Sequence, residues 1–505
     1  VRCEASLLAD ISTSAAQRQI PAVRIASPPV IDGAIGAEEW AGAARAERFF
    51  DQQTGEPTAD QTAAYIAYDD EHIYVAIYAY DSKPEFIVGR ETVRDSRFAN
   101  EGGGGDGEDS VEVSFDTFFS SRWDDQTRFS VNPLGTPSAR ISGGRAAKRE
   151  WQGDWQAAAR RLPDGWSVEM RIPWRMLNYP NSSTPVTMGI NFRRFQHRTR
   201  INSIWSNTGP QRFLDLQGRW VGVRPPQRAF APEVSALPYV LAGLERGTGH
   251  LRSGLDVRAL LTPELTSVVT VNPDFGTVEG AVEGIQFSRS ERFVEERRPF
   301  FLEGRGYFQA GQWFGAGPYF YPNRIRAMDL GAKIFGKLSP RDSLGLLATA
   351  DFGREANAVV NYRHTYLPTA SFGAFFTQKS TPGLSNTVLV GSHDRRWGKL
   401  GVSTDAGVSA GHEAGGAVYE VGVRYEDKVN FSVIRALSVA EDFLDANGFV
   451  YFTDMRGFDF HHSWGSPWRS GFFRGFEVSG GGQYKWHMDG RPYMRGGSLG
   501  ASIET

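Results

Sequence analysis

The chain has one cysteine, Cys3, among 505 residues. An intrachain disulfide is therefore excluded, and so are zinc sites or clusters built from several cysteines. No run of 18 apolar residues occurs, so a transmembrane helix is not expected. Neither sign of charge dominates: 55 Lys and Arg against 58 Asp and Glu leave a formal net charge of −3. That balance removes the electrostatic case for nucleic acid. The opening Val1-Arg2-Cys3-Glu4-Ala5 lacks the continuous apolar region of a signal peptide, although Thr13-Ser14-Ala15-Ala16-Gln17 looks like the end of one. Residues 1–20 read as a leader or disordered tail. S-x-x-K, H-E-x-x-H and P-loop patterns are missing. Gly496-Gly497-Ser498-Leu499-Gly500 matches G-x-S-x-G, but the acid and histidine that follow such a serine in α/β-hydrolases are not there. It reads as a glycine-rich strand.

What is present points to β-structure. Glycine is abundant at 57 residues, and aromatics make up 13 %. Combined with many short apolar segments, this favours an all-β chain. Ile73–Tyr80, Ser110–Phe115 and Trp166–Ile172 are rich in β-branched and aromatic residues and bounded by polar turns. Pro163-Asp164-Gly165 predicts a hairpin turn. Strands at this spacing predict a β-sandwich over 21–224. The polar-proline stretch Arg224-Pro225-Pro226-Gln227 closes it.

Beyond it the alternation sharpens. Leu400, Val402, Thr404, Ala406, Val408 and Ala410 share one face, and Gly401, Ser403, Asp405, Gly407 and Ser409 the other. Ala417, Tyr419, Val421, Val423 and Tyr425 oppose Glu420, Gly422, Arg424 and Glu426. Leu344, Leu346, Ala348, Ala350 and Phe352 repeat the arrangement. Strands of about ten residues with strict alternation predict an outer-membrane antiparallel β-barrel over 227–505, apolar face to lipid. A large soluble sandwich or propeller alternates as well, but no fixed repeat supports a propeller. Ala501-Ser502-Ile503-Glu504-Thr505 looks like mid-strand, so the barrel is expected to be incomplete at its C-terminal side.

Ile31-Asp32-Gly33, then Glu38-Glu39-Trp40 and Ala43, resembles the opening of family 9 carbohydrate-binding modules. The resemblance continues through Tyr65–Tyr80, Gly107–Val113, Phe115-Asp116-Thr117-Phe118, Asn132-Pro133-Leu134-Gly135, Trp151 and Trp155, and Asp164-Gly165-Trp166 to Ile172-Pro173-Trp174. It covers about residues 21–223. A second block, Val271–Glu279 followed by Phe293–Gly304, resembles the junction in a poorly characterised bacterial envelope family, sometimes labelled hydrolase, in which such a module precedes an outer-membrane barrel. The resemblance implies glycan binding at the envelope and no known reaction. The family tends to carry an acidic residue after Asn132-Pro133-Leu134-Gly135. Here Thr136-Pro137-Ser138-Ala139-Arg140 follows, which weakens any carry-over of a contact at this loop.

Sugar rings stack on flat apolar faces, with polar groups nearby for the hydroxyls. Trp123, Trp151, Trp155 and Trp205 lie in polar stretches and are the candidate platform. Each also has a reading as a packing residue, the role assigned to Trp40 and Trp166. Asp106, Glu108 and Asp109 follow a glycine run and form a candidate structural calcium site, or else a solvated acidic loop. Glycoside hydrolysis needs two carboxylates. The carboxylates to consider are Glu112, Asp116 and Glu169, though their neighbours also suit structural roles. His461 and His462 are adjacent on a strand and point to opposite faces, so they do not chelate one metal. Glu295-Glu296-Arg297-Arg298-Pro299-Phe300-Phe301 is too polar and proline-broken for a lipid-facing strand. It reads as a lumenal or periplasmic segment holding ion pairs. Three functions follow in order: carbohydrate binding with the barrel as anchor or passage in outer-membrane lipid, a surface glycoside hydrolase, and a structural outer-membrane protein.

Overall fold

The computed structural model describes residues 17–96, 107–142, 155–227, 233–245, 248–273, 293–310, 316–412, 415–450, 452–467, 473 and 475–504. The chain divides into two compact units, Val1–Ala229 and Phe230–Thr505. Both are β-structured.

The strands of the first unit are β1 (Gln19–Pro21), β2 (Ala44–Ala46), β3 (Phe50–Asp51), β4 (Thr62–Tyr68), β5 (His72–Tyr80), β6 (Ser110–Asp116) and β7 (Thr127–Val131). They continue with β8 (Pro137–Arg140), β9 (Gln156–Leu162), β10 (Gly165–Pro173), β11 (Val186–Gln196), β12 (Ile201–Ile204) and β13 (Gly218–Val223). The front sheet has the order β1-β13-β11-β6-β7-β8, with β12 joining β11 to β3. The back sheet has the order β2-β4-β5-β10-β9. Leu162 pairs with Gly165 across the Pro163-Asp164-Gly165 turn.

Alternation decides what lies between the sheets. Val111, Val113 and Phe115 of β6 share one core with Ile73, Val75 and Ile77 of β5 and with Trp166, Val168 and Met170 of β10. Fully burying side chains of this size contributes about 1.5–3 kcal/mol each. Trp174 and Trp220 stack within this core at 6.2 Å and 4°. Tyr68 meets both rings edge-on. The alternate residues of β5 and β10 face away from this core and are covered by the segment around Trp40, which packs with Tyr74 and Ala76.

A buried polar network ties the two sheets at one end. Asp81, just beyond β5, receives Arg194 Nη2 at 3.0 Å, Gln196 Nε2 at 2.6 Å and Arg198 Nη2 at 3.0 Å. Arg194 and Asp81 are both buried. Arg194 Nη1 also donates to the Tyr80 carbonyl, which offsets part of the cost of burying the pair.

Among its described residues the second unit is a 14-stranded antiparallel sheet whose strands follow one another in chain order, from Glu233–Glu245 to Pro492–Glu504. Its faces separate as the alternation predicts. On Leu400–Gly411, Asp405, Gly407 and Ser409 are buried and Ala406, Val408 and Ala410 are exposed. On Ala417–Glu426, Glu420, Gly422 and Glu426 are buried while Tyr419, Val421 and Val423 are exposed. Residues 293–310 and 316–328 roof the covered face. Lys333 Nζ binds the carbonyls of Phe300 and Glu303. Asn361 Nδ2 donates to the Tyr307 and Gln309 carbonyls at 3.0 and 3.1 Å. Arg258 Nε meets Glu303 Oε1 at 2.7 Å, and Lys379 Nζ meets the Arg324 carbonyl at 3.0 Å. Gly496-Gly497-Ser498 lies inside the strand Pro492–Glu504.

Candidate functional site

The outward face of the front sheet is polar where the inward face is apolar. Because Val111, Val113 and Phe115 point into the core, Glu112 and Ser114 point out. The same rule turns Arg128 and Ser130 of β7 outward, and Asn191 and Arg193 of β11. The ladder places Glu112 opposite Arg193 on one side and Ser130 on the other. Glu112, Ser114, Arg128, Asn191 and Arg193 line a shallow groove open to solvent, joined by Gln52, Gln126, Arg212, Gln217 and Trp123.

Glu112 sits at the centre. Its Oε1 accepts from Arg193 Nη1 at 3.3 Å and its Oε2 from Ser130 Oγ at 3.3 Å. Burial pushes this carboxyl up, but the guanidiniums of Arg193, Arg128 and Arg212 outweigh it and hold the group below its ordinary range. Glu112 is therefore an ionised acceptor among three cations. Arg193 Nη2 also donates to Asn202 Oδ1 at 3.1 Å. Asn191 is fixed by Ser206, donating to its carbonyl at 2.8 Å and accepting from its amide at 3.0 Å.

Trp123 stands at the rim, 41 % exposed. Arg128 stacks on its ring with Cζ 4.8 Å from the centroid. One face of the indole is thus held by a cation while a substantial part of the residue meets solvent. The turn that carries it is braced by Asp116, whose Oδ1 accepts the Ser120 amide at 3.0 Å and whose Oδ2 accepts the Ser121 amide at 2.7 Å. Gln217 Nε2 donates to the same carboxylate at 2.8 Å, and Gln126 Nε2 donates to Gln217 Oε1 at 3.3 Å. Phe119 and Ser121 adopt positive φ, 51° and 59°. Left-handed backbone at residues with a Cβ persists only when surroundings hold it, and here the Asp116 carboxylate does. Burial and the nearby Asp125 push the Asp116 carboxyl up.

The other sequence candidates fall elsewhere. Trp155 and Trp205 are each 2 % exposed and belong to the core between the sheets. Trp155 packs edge-on against Phe129 at 5.1 Å, and Trp205 against Phe192 at 5.9 Å. Neither offers a face to a sugar. Their polar sequence neighbours conceal that each flanks a strand whose inward side takes the ring. Trp151 and Asp106 lie outside the described residues.

Glu169 is fully buried behind the back sheet. Its Oε1 accepts from Trp40 Nε1 at 2.8 Å, and its Oε2 accepts the amides of Asp32 and Gly33 at 3.0 and 2.9 Å. The Ile31-Asp32-Gly33 and Trp40 elements of the sequence resemblance are thus gathered on one carboxylate. Gly33 has φ 86°, and a Cβ there would lie 2.8 Å from the Ala159 backbone, so both conformation and space require glycine. Glu169 is a structural clamp on one sheet, whereas Glu112 and Asp116 lie on the other. Glu169 therefore does not form a catalytic pair with Glu112 or Asp116.

Glu108 and Asp109 do not fit a calcium ion. Both Glu108 oxygens accept N–H groups, Oε1 that of Asn132 Nδ2 at 2.7 Å and Oε2 those of Arg90 and Glu91. Asp109 accepts the amides of Val88 and His197 at 2.8 and 3.3 Å. Calcium needs such oxygens directed at itself. Here they hold the 88–91 loop, and burial pushes the Asp109 carboxyl up. Among the described residues no group of three or more His, Cys, Asp or Glu is placed to hold a metal.

The sequence reading missed Gln52, Gln126, Arg128, Asn191, Arg193, Arg212 and Gln217. The available signal was polar residues at alternate positions of strands whose other face is apolar.

No family model and no curated protein matches the chain. The chain is similar to several solved structures. A family 9 carbohydrate-binding module from Caldicellulosiruptor kristjanssonii, solved with cellotriose, is 23 % identical over 42 % of this chain and 95 % of its own, with a TM-score of 0.28. OpdO from Pseudomonas aeruginosa is 10 % identical over 78 % of this chain and 95 % of its own, at 0.30. OccAB4 from Acinetobacter baumannii is 9 % identical over 92 % and 96 %, also at 0.30. These values assign no family.

Proposed function

We propose that the first unit binds an oligo- or polysaccharide in the front-sheet groove, without turnover, and that the second unit is a barrel seated in the bacterial outer membrane as anchor or passage. One observation carries the first part. A part-exposed, cation-backed indole borders a groove whose walls are carboxylate, guanidinium, amide and hydroxyl groups. An apolar ring face and directional hydrogen bonds are the two things a pyranose needs. The family resemblance of residues 21–223 points the same way.

Binding without hydrolysis is favoured over the glycosidase reading by electrostatics. A general acid needs a carboxyl kept protonated near neutral pH. The one carboxylate at the centre of the groove is held below its ordinary range instead. For the second unit, the support is an exposed face carrying Leu389, Val408, Tyr419, Val421, Ile434 and Phe458 on consecutive strands. A water-facing protein surface seldom presents so continuous an apolar band.

The test is calorimetry of the detergent-solubilised chain against a panel of neutral oligosaccharides, with and without calcium, with the same mixtures assayed for released reducing ends. Saturable heat without release, weakened by Trp123→Ala, supports the reading. Release of sugar, or no binding by any member of the panel, overturns it.

A further inference from the structure

A second cavity lies wholly within the second unit, in the segment roofing the covered face of its sheet. Its volume is about 130 Å³, and it is partly open; an apolar cavity of roughly 150 Å³ is enough to take up one benzene ring. Phe293, Phe301, Phe308 and Tyr321 are among its walls, with Arg305 and Glu296.

The charges in this wall do not cancel. Glu296 is neutralised by Arg298, whose Nη2 is 2.6 Å from Oε2 and whose Nε is 2.9 Å from Oε1. Arg298 is in turn fixed to the Ile325 and Pro322 carbonyls at 2.5 and 2.8 Å and lies 4.4 Å over the Phe301 ring. Of the segment's other two acids, Glu303 is paired with Arg258, and Glu295 is exposed and not part of the wall. Arg305 is different: among the described residues, no hydrogen bond or ion pair engages its guanidinium. The Tyr321 hydroxyl is already engaged with the Val294 backbone. The cavity therefore joins apolar aromatic walls to the unanswered, planar guanidinium of Arg305, with Gln309 also in its lining.

The cavity is also pre-formed. Lys333, Asn361 and Lys379 reach from three different strands to carbonyls of the segment that builds it. A site held open in this way does not charge the ligand with the ordering of its walls.

We propose that this cavity binds an aromatic monocarboxylate, with the ring among the phenylalanines and the carboxylate on Arg305. Guanidinium matches carboxylate in a two-point fork. The site is separate from the sugar groove and does not depend on it.

Benzoate and benzyl alcohol, nearly equal in shape and different in charge, are the probes. Each is titrated calorimetrically into the detergent-solubilised native chain at pH 7. Benzoate is expected to bind saturably and at least about tenfold more tightly than benzyl alcohol, the scale of a charge-assisted hydrogen bond. Arg305→Gln lowers benzoate affinity by about the same factor and leaves benzyl alcohol unchanged, Arg305→Lys restores part of it, and Trp123→Ala leaves benzoate binding intact. No saturable benzoate binding, equal affinity for the two probes, or benzoate affinity that depends on Trp123 and not on Arg305 overturns the proposal. The two-probe comparison on the native chain decides the matter even if the Arg305 variants do not fold.

Discussion

Arg193 reaches from β11 to Glu112 on the neighbouring β6, Nη1 to Oε1 at 3.3 Å, and the two are also partners in the ladder between those strands. Both side chains are little exposed, 13 % and 12 %. A cation and an anion are therefore held side by side on the sheet's outward face, at the floor of the groove.

This arrangement fixes a pH dependence. The Glu112 carboxyl is held below its ordinary value of 4.5. Its folded value is depressed, so the unfolded chain takes up the proton first as pH falls. The stability it contributes is fully present above its unfolded value and is lost as pH falls through the folded one. The urea midpoints of the native chain and Glu112→Gln should therefore differ by a constant amount from pH 8 to about pH 5.5, and the native chain's margin should shrink steadily below that. A margin that widens toward pH 3 contradicts the assignment.

The three described tryptophan candidates should separate cleanly. Trp123→Ala removes a rim platform and should weaken oligosaccharide binding about tenfold, with a stability change within about 1 kcal/mol. Trp155→Ala and Trp205→Ala empty core positions and should each destabilise by about 3–5 kcal/mol. Calorimetric titration and denaturant melts on the same preparations read both quantities. A Trp123 variant with native affinity removes the platform from the groove.

The contrast among these tryptophans shows where sequence reading stops. Alternation is local, so the two faces of Leu400–Gly411 and Ala417–Glu426 are visible in the sequence, as is the hairpin at Pro163-Asp164-Gly165. Which side of a strand a flanking tryptophan turns to is set by packing between sheets. Trp155 meets Phe129 and Trp205 meets Phe192 through that packing, and polar neighbours in sequence give no warning of it. The groove is harder still. Arg128, Arg193 and Arg212 converge on Glu112 from distant places in the chain, so no spacing marks them as one site. Glu169 is an intermediate case. Its neighbours Val168 and Met170 show that it faces away from the main core, but its partner Trp40 is 129 residues away.

Glu169 should behave as a clamp. In Glu169→Ala the Trp40 indole N–H and the Asp32 and Gly33 amides lose their acceptor together. Leaving buried donors unanswered should destabilise the first unit by at least about 3 kcal/mol. Glu169→Gln keeps one acceptor oxygen and should recover part of this. Sugar affinity of the folded fraction should be unchanged in both, because Glu169 lies behind the back sheet and the groove lies on the front one. A specific loss of affinity in folded Glu169→Gln would return this carboxylate to the functional site.

The outward face of the second unit makes opposite predictions in two solvents. Val421 is 45 % exposed in the middle of its strand, between exposed Tyr419 and Val423. If water covers that face, Val421→Arg is an ordinary surface substitution and should alter stability by no more than about 0.5 kcal/mol. If lipid covers it, arginine near the bilayer midplane should cost about 2–4 kcal/mol. The chain refolded into phospholipid vesicles and unfolded in guanidinium, followed by tryptophan fluorescence, measures the difference directly. Glu420 and Gly422, the adjacent residues on the strand, point to the covered face and are buried, so the substitution leaves the polar interior untouched. A loss in the lipid range ties the exposed apolar face to the membrane, whereas a neutral result would leave that face to water and remove the outer-membrane reading of the second unit.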